Sequence, residues 1–121
     1  MKRILIIEDE YMLADMYATR FTQEGFKVSL AESIAQGVIL AKKEKPHLII
    51  LDILLPDGNG ISFLKTKQLE KSIASIPVVA FSNFDDTEIK KEALSLGALE
   101  YLMKTDYTPQ ELMEKVRLYV K

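Results

Sequence analysis

The sequence predicts an α/β fold in which five strands alternate with five helices, (βα)5, and form a doubly wound parallel five-stranded sheet. Three observations predict this fold. Short apolar runs recur along the whole chain, segments with helical spacing of apolar residues separate them, and no low-complexity linker interrupts the alternation. The length of 121 residues is sufficient for one domain with one core.

The strands are predicted from short runs of mainly apolar residues. Runs that begin at Ile4, Leu48 and Val78 are continuously apolar, as expected for strands covered on both faces. The run from Phe26 alternates and the last run has polar character, so these two are predicted to be edge strands. The resulting order is 2-1-3-4-5, which is flavodoxin-like. The predicted strands are Arg3–Ile7, Phe26–Ala31, Leu48–Leu51, Val78–Phe81 and Glu100–Met103.

Helical spacing and capping signals predict the first two helices. The first helix ends before Gly25, a residue that commonly follows a helix. The second helix begins at Ser33, with Gln36 at the spacing of a capping box. The apolar residues that recur at three- and four-residue steps in the first helix are Leu13, Met16, Tyr17 and Phe21.

Similar signals predict the other three helices. The third covers roughly Ile61–Glu70, counting its capping turn. The fourth runs from about Asp86 to Leu96 and is stopped by the glycine that follows. The fifth begins after Thr108, an N-cap residue that is followed by a proline at the first helical position and a glutamate at the third.

Composition excludes several classes of protein. A net charge of −2 provides no basic field, so we expect no direct binding of nucleic acid. The absence of cysteine excludes a disulfide framework and a thiolate metal site, and it fits a cytoplasmic location. The apolar run after the first three residues is too short for a signal peptide or a membrane span, so no membrane contact is expected.

Polar residues follow the predicted strands at the points where the strands end. Glu8 and Asp9 follow the first strand, Asp52 the third, Ser82 the fourth and Lys104 the fifth. Because the carboxyl ends of parallel strands meet at one edge of a sheet, we expect these side chains to line one crevice. Carboxylates packed this closely repel each other, and a divalent cation would remove the repulsion.

The chemistry of this crevice points to phosphoryl transfer. Its candidate metal ligands are hard oxygen atoms with no cysteine or nearby histidine, which favours Mg²⁺ or Mn²⁺ over Zn²⁺. A metal, a carboxylate nucleophile, a hydroxyl and an ammonium group together can receive a phosphoryl group. Asp52 would be the nucleophile, and Ser82 and Lys104 would bind the phosphoryl oxygens.

The motifs ILIIEDE, LIILDILLPDGNG, IPVVAFS and GALEYLMK, in this order, resemble the chemotaxis-regulator-like receiver domain of two-component response regulators. The resemblance covers essentially the whole chain, so we expect a single receiver domain over residues 1–121 and no effector domain in this chain. It implies that Asp52 accepts a phosphoryl group from a histidine kinase or phosphotransfer protein. It further implies that Asp9 binds Mg²⁺ directly, that Glu8 binds it through water, and that the backbone carbonyl of Leu54 completes the ligands.

The same resemblance implies a switch. Ser82 would be the switch hydroxyl, Lys104 would bind the phosphate, and Tyr101 would be the aromatic residue that swings inward on activation. Phosphorylation would remodel the surface made by the fourth helix, the fifth strand and the fifth helix, which could also form a homodimer. The protein would be a signalling switch that phosphorylates itself, and no turnover of an outside substrate is expected.

Four positions depart from the usual pattern of these domains. Thr105 stands where proline is usual, so the bond from Lys104 is expected to be either a strained cis bond or a trans bond with altered lysine placement. Asn83 stands where a small residue is usual, and it would either crowd the entrance or form a hydrogen bond. Leu54 and Phe84 are apolar beside the acceptor, and we expect them to slow loss of the phosphoryl group.

Two other interpretations of the function remain open from the sequence. Thr105 and Asn83 fit a receiver-like interaction module that is not phosphorylated. A flavin-binding protein or a Mg²⁺-dependent phosphatase could share the topology, although the loop after the first strand is acidic where flavin binding requires hydroxyl groups. His47, at the opposite end of the sheet, is expected to face solvent.

Overall fold

A computed structural model of the chain describes residues 1–120, in which five parallel strands alternate with five helices as predicted. The predicted domain extends to Lys121, which lies outside the described residues. The strands are β1 (Arg3–Ile7), β2 (Lys27–Ala31), β3 (Leu48–Leu51), β4 (Val78–Ser82) and β5 (Glu100–Met103). The helices are α1 (Tyr11–Gln23), α2 (Ile34–Glu44), α3 (Gly60–Leu69), α4 (Thr87–Ser95) and α5 (Pro109–Tyr119).

The strands lie in the order β2-β1-β3-β4-β5, and each neighbouring pair is parallel, which confirms the predicted doubly wound, flavodoxin-like topology. In the register, Ile7 at the end of β1 lies opposite both Ala31 and Leu51. The ends of the three strands are therefore level. Residues that follow β1 and β3 emerge side by side at the carboxyl edge of the sheet, where doubly wound folds bind ligands.

Two strand boundaries differ from the prediction by one residue. The amide of Phe26 donates to the Phe21 carbonyl at 3.1 Å, so Phe26 closes the end of α1 and β2 begins at Lys27. At the other boundary, β4 includes Ser82 because this residue pairs with Met103 of β5. Contacts with neighbouring elements, which periodicity alone does not show, determine both boundaries.

Apolar residues cover both faces of the sheet, because side chains alternate between faces along a strand. On one face, Ile4 and Ile6 of β1 pack with residues of α1 and α5. On the other face, Leu5 and Ile7 pack with residues of α2, α3 and α4. Burial on both sides explains why β1, β3 and β4 are continuously apolar.

Local hydrogen bonds explain where the helices begin. The Ser33 hydroxyl accepts a hydrogen bond from the Gln36 amide at 3.1 Å at the start of α2. The predicted capping box of α5 is complete, because Thr108 and Glu111 each accept a hydrogen bond from the other's backbone amide. In α4, Asp86 is the N-cap and its carboxylate accepts from the amide of Ile89. Within residues 1–120, no helix is long and apolar enough to cross a membrane.

The expectation that His47 faces solvent is wrong. Its side chain is half-buried, and its Nδ1 accepts a hydrogen bond from the Arg3 amide at 3.0 Å. The His47 amide in turn donates to the Arg3 carbonyl at 2.8 Å, so the pair joins the beginnings of β1 and β3. Burial lowers the pKa of His47, and the positive charges of Arg3, Lys2 and the amino terminus lower it further.

We predict that protonation of His47 destabilises the fold. A protonated Nδ1 cannot accept the Arg3 amide, and the folded protein binds this proton less readily than the unfolded chain. The hydrogen bond of neutral His47 contributes fully to the free energy of unfolding above about pH 6.5, the pKa of histidine in the unfolded chain. This contribution is lost as the pH falls through the lowered pKa of the folded protein. Urea unfolding across this pH range measures it.

The matched control is His47→Asn, because an asparagine oxygen can accept the same hydrogen bond and does not titrate. The difference in free energy of unfolding between the wild type and this variant should shrink as the pH falls. Parallel pH profiles for the two proteins would contradict the prediction. Since His47 is the one histidine in the sequence, its titration can also be followed directly by NMR.

Candidate functional site

Three carboxylates converge at the carboxyl ends of β1 and β3. One oxygen atom from each of Glu8, Asp9 and Asp52 lies within 4.8 Å of the other two. Glu8 and Asp52 are buried, whereas Asp9 is exposed to solvent. The Asp52 amide donates to the carbonyl of Ile7 at 3.0 Å, which holds the two strand ends together. The sheet therefore brings together acids that lie far apart in the sequence.

Lys104 supplies the positive charge of the site. Its ammonium donates to the Asp52 carboxylate at 3.1 Å and also forms an ion pair with Glu8. The lysine is at the end of β5, where a short 3-10 helix, Lys104–Asp106, begins. The resemblance assigns this lysine to phosphate binding, and the structure places its ammonium directly on the Asp52 carboxylate.

Burial and charge set the protonation of the pair formed by Glu8 and Lys104. Burial raises the pKa of Glu8 to about 7; the neighbouring Asp52 charge adds to the shift and Lys104 opposes it. Burial alone would lower the pKa of Lys104, but its hydrogen bond to Glu8 and the charge of Asp52 outweigh this and raise it. The single ammonium group of Lys104 is shared between Glu8 and Asp52. The site therefore binds protons near neutral pH when no further cation is present.

The cluster meets the chemical requirements of a divalent metal site. Its donors are carboxylate oxygens, which are the ligands that Mg²⁺ and Mn²⁺ prefer. Asp9 is open to solvent, so a cation that retains several of its waters could be accommodated there. A bound cation would also offset the repulsion from Asp52, which adds to the effect of burial on the pKa of Glu8. The residues that could hold it are therefore Glu8, Asp9 and Asp52.

Ser82 and Tyr101 both contact the segment that follows β4. The Ser82 side chain is buried, and its hydroxyl accepts a hydrogen bond from the Phe84 amide at 3.1 Å. The hydroxyl of Tyr101, which is half-buried, donates to the Phe84 carbonyl at 2.6 Å. Burial raises the pKa of Tyr101. Phe84 thus lies between the predicted switch hydroxyl and the predicted switch aromatic, bonded to both through its backbone.

The two polar departures from the family pattern form a hydrogen bond with each other. The Thr105 amide donates to Oδ1 of Asn83 at 3.2 Å. A proline at position 105 would lack this donor. Within residues 1–120 no peptide bond is cis, so the bond between Lys104 and Thr105 is trans. The Asn83 side chain therefore connects the segment after β4 to the residue that follows Lys104.

An open cleft of about 380 Å³ leads to the Asp52 carboxylate. Leu54 and Phe84 line this cleft, together with Asp9, Asp52 and Lys104. Leu54 is 54% exposed. The apolar side chains therefore border the space through which water or a phosphoryl donor would approach Asp52.

Residues 52–59, which we call the acceptor loop, form a short antiparallel pairing. Leu54 lies opposite Asn59, and Leu55 lies opposite Gly58. The Asn59 side chain accepts a hydrogen bond from the amide of Ile61 at 2.8 Å, and so forms the N-cap of α3. The backbone around Leu54, whose carbonyl is a predicted metal ligand, is thus held in a hairpin.

Sequence reasoning did not identify the role of Asp57 in this loop. Its two carboxylate oxygens accept hydrogen bonds from the Ile34 amide at 2.9 Å and the Ala35 amide at 3.1 Å, at the start of α2. These bonds lower the pKa of Asp57. No local pattern could have shown the contact, because the partners are 23 and 22 residues away in the sequence.

A family model described as "Response regulator receiver domain" matches residues 4–117. The KDP operon transcriptional regulatory protein KdpE of Escherichia coli (strain K12) is 34% identical over 121 residues, which is 100% of this chain and 52% of KdpE. The phosphate regulon transcriptional regulatory protein PhoB of the same strain is 32% identical over 120 residues, 99% of this chain and 52% of PhoB.

Solved structures show the same similarity. The CheY-like response regulator receiver domain protein from Methanospirillum hungatei JF-1 has a TM-score of 0.91 at 28% identity, covering 99% of this chain and 94% of that chain. A chemotaxis protein of Vibrio cholerae, CheY4, shares the fold with a TM-score of 0.89 at 22% identity, covering 98% of each chain. The present chain spans about half the length of the curated relatives.

We predict that Gly60→Ala displaces the backbone of Asp52 and Ile53. A Cβ atom at Gly60 would lie 2.6 Å from the Asp52 carbonyl oxygen and 3.1 Å from the Ile53 Cα atom, which are backbone atoms that cannot move independently. We expect a loss of about 1–3 kcal/mol in the free energy of unfolding, as for other overpacked sites. We also expect slower phosphorylation. Denaturant unfolding measures the change in stability, and intact-mass measurement of phosphoryl gain from acetyl phosphate measures the change in rate.

Gly37→Ala is the matched control, because its Cβ would also approach a neighbour to 2.6 Å. That neighbour is the Cδ1 atom at the flexible end of the Ile7 side chain, which can rotate away. The control variant should lose less stability and keep the phosphorylation rate of the wild type. Equal losses in both variants would show that the contact between Gly60 and Asp52 has no special importance.

Proposed function

The chain belongs to the response regulator receiver domain family, and on this premise we propose that it is a phosphorylation-activated switch that accepts a phosphoryl group on Asp52. The donor would be a histidine kinase or a phosphotransfer protein, and the setting the cytoplasm. The observation that carries this proposal is the convergence of the Glu8, Asp9 and Asp52 carboxylates, with the Lys104 ammonium on Asp52. Its relatives are regulators, and we expect no turnover of an outside substrate.

In the proposed transfer, a carboxylate oxygen of Asp52 attacks the phosphorus atom of the donor phosphohistidine. A phosphorus–oxygen bond forms, the phosphorus–nitrogen bond breaks, and the donor imidazole keeps the electron pair. Lys104 and the Ser82 hydroxyl would bind oxygens of the transferred group, since the ammonium is already on Asp52 and the hydroxyl lines the same cleft. The product is an acyl phosphate on Asp52.

The metal in this proposal is Mg²⁺, with Mn²⁺ as a second ion that fits the same ligands. Asp9 and Asp52 would bind it directly, Glu8 through water, and the Leu54 backbone carbonyl would complete the ligands from the protein. When bound, the ion supplies positive charge that offsets the negative charge of the transferred group. The support for this assignment is the set of hard oxygen donors and the raised pKa of Glu8.

The proposed switch begins at Ser82. When its hydroxyl turns to the phosphoryl group, the hydrogen bond that it accepts from the Phe84 amide would break. The Phe84 carbonyl, which holds the Tyr101 hydroxyl, would move with that segment and let Tyr101 turn inward. The expected result is a changed surface on α4, β5 and α5.

That surface could form a homodimer after phosphorylation. In the present structure its charged residues have partners within the chain: Lys115 with Glu100 at 3.1 Å, and Lys90 with Asp85 at 2.5 Å. Arg117 instead pairs with Glu24 at the end of α1. A symmetric dimer would therefore have to exchange pairs already made inside one chain, which makes dimerisation dependent on a change such as the inward turn of Tyr101.

We predict that acetyl phosphate with Mg²⁺ adds one phosphoryl group to the wild-type protein and none to Asp52→Asn. The amide of the variant cannot form an acyl phosphate, although its size is nearly unchanged. Intact-mass spectrometry measures the gain, and omission of Mg²⁺ tests the metal requirement. Sedimentation of the same samples tests the proposed dimer.

The gain of mass distinguishes a switch that is phosphorylated at Asp52 from an interaction module that is not. No gain of mass, or an equal gain in Asp52→Asn, would favour an interaction module that is not phosphorylated at Asp52. Asp15→Asn is a useful control because it makes the same chemical change in an exposed carboxylate of α1. It should still gain the phosphoryl group, since Asp15 lies outside the cleft.

We predict that Leu54 and Phe84 prolong the phosphorylated state, because their apolar side chains exclude the water that would attack the acyl phosphate. Leu54→Asn and Phe84→Glu should each lose the phosphoryl group severalfold faster than the wild type. Time-resolved intact-mass measurement follows the decay. Leu69→Asn is the control, because Leu69 is 86% exposed at the end of α3 and should have no effect. Unchanged lifetimes in the first two variants would contradict the prediction.

A further inference from the structure

The acceptor loop is attached to α2 as well as to the two elements that it connects. The first two amides of α2, those of Ile34 and Ala35, point to Asp57 rather than to a residue of their own segment. The first amides of a helix have no partner within the helix and need one from outside. For α2, the acceptor loop supplies that partner.

Apolar contacts reinforce the attachment. Leu55 of the acceptor loop is 9% exposed and belongs to the core cluster against which Ile34 packs. At Gly58, a Cβ atom would come within 3.2 Å of the Ile34 Cδ1 atom, and the φ angle of +147° also favours glycine. The loop thus lies closely against the Ile34 side chain in the first turn of α2.

The hairpin connects this attachment to the acceptor site. Leu54 pairs with Asn59, and Leu55 pairs with Gly58, with Asp57 in the turn between them. The position of the turn therefore influences the position of the Leu54 backbone, two residues after Asp52. An anchor on the turn would restrict the directions in which the Leu54 carbonyl can point.

We propose that Asp57 is a positioning residue: by binding the start of α2, its carboxylate holds the acceptor loop so that the Leu54 carbonyl faces the metal site. The proposal rests on the function proposed above, and specifically on Mg²⁺ binding beside Asp52. It has a reciprocal consequence, since two sites that stabilise each other do so by the same factor. Binding of Mg²⁺ must therefore strengthen the attachment of α2 to the loop.

The experiment measures Mg²⁺ affinity and amide exchange in the unphosphorylated full chain. NMR titration with Mg²⁺ alone gives the dissociation constant from the amide shifts of Asp52 and Ile53. For Asp57→Ala we expect a dissociation constant on the order of tenfold higher, the low end for loss of a group that supports a metal ligand. Asp57→Asn keeps one of the two acceptor oxygens and should have a dissociation constant between those of the wild type and Asp57→Ala.

Ser33→Ala is the matched control for the stability of α2. It removes the other side-chain acceptor at the start of this helix, on the Gln36 amide, and it leaves the acceptor loop intact. It should destabilise α2 without changing Mg²⁺ affinity. Equal weakening in Ser33→Ala and Asp57→Ala would overturn the proposal, because Asp57 would then act only through helix stability.

Hydrogen exchange in the wild type provides a test that needs no variant. Saturation with Mg²⁺ should slow exchange of the Ile34 and Ala35 amides by about the factor by which Asp57→Ala weakens binding. Unchanged exchange at these two amides, or wild-type affinity in Asp57→Ala, would overturn the role of Asp57 and leave the proposed phosphorylation untouched. If the wild type binds no Mg²⁺, the proposed metal site fails, and the role of Asp57 fails with it.

Discussion

The structure depends on the placement of several acids and one lysine at the carboxyl edge of a parallel sheet. Parallel pairing of β1 with β3 places Glu8 beside Asp52, and the repulsion between their buried carboxylates has to be offset. Lys104, brought in by β5, offsets part of it, and burial still raises the pKa of Glu8 to about 7. A site with this residual negative charge is suited to a divalent cation and then to a transferred phosphoryl group.

The rest of the molecule supports this site with two kinds of structure. The sheet is covered by apolar residues on both faces, so the ends of β1 and β3 have fixed positions. The acceptor side of the cleft is rigid as well, because its loop is a hairpin that is bonded to α2 and caps α3. On the opposite side, the side chains of Ser82, Asn83 and Tyr101 each take part in one hydrogen bond among the described residues. In the proposed switch, these bonds would be exchanged when a phosphoryl group binds.

Thr105 and Asn83 show how two departures from a family pattern can compensate for each other. Each residue taken alone weakens the resemblance, since proline and a small residue are usual at these positions. In the structure the Thr105 amide donates to the Asn83 side chain, and Lys104 still reaches Asp52. Where a proline is usual, the pair forms a hydrogen bond between the segment that follows β5 and the segment that follows β4.

The sequence by itself determined the fold class, the strand order, the helix caps and the identity of the acids at the strand ends. These features depend on local periodicity and on residue types next to one another, as at Thr108 and Glu111. Only the tertiary structure decided which distant groups meet: Asp57 with α2, His47 with Arg3, and Asn83 with Thr105. Those hydrogen bonds join residues 22 to 44 positions apart in the chain, and they exist only after packing of the sheet and helices has brought the loops together.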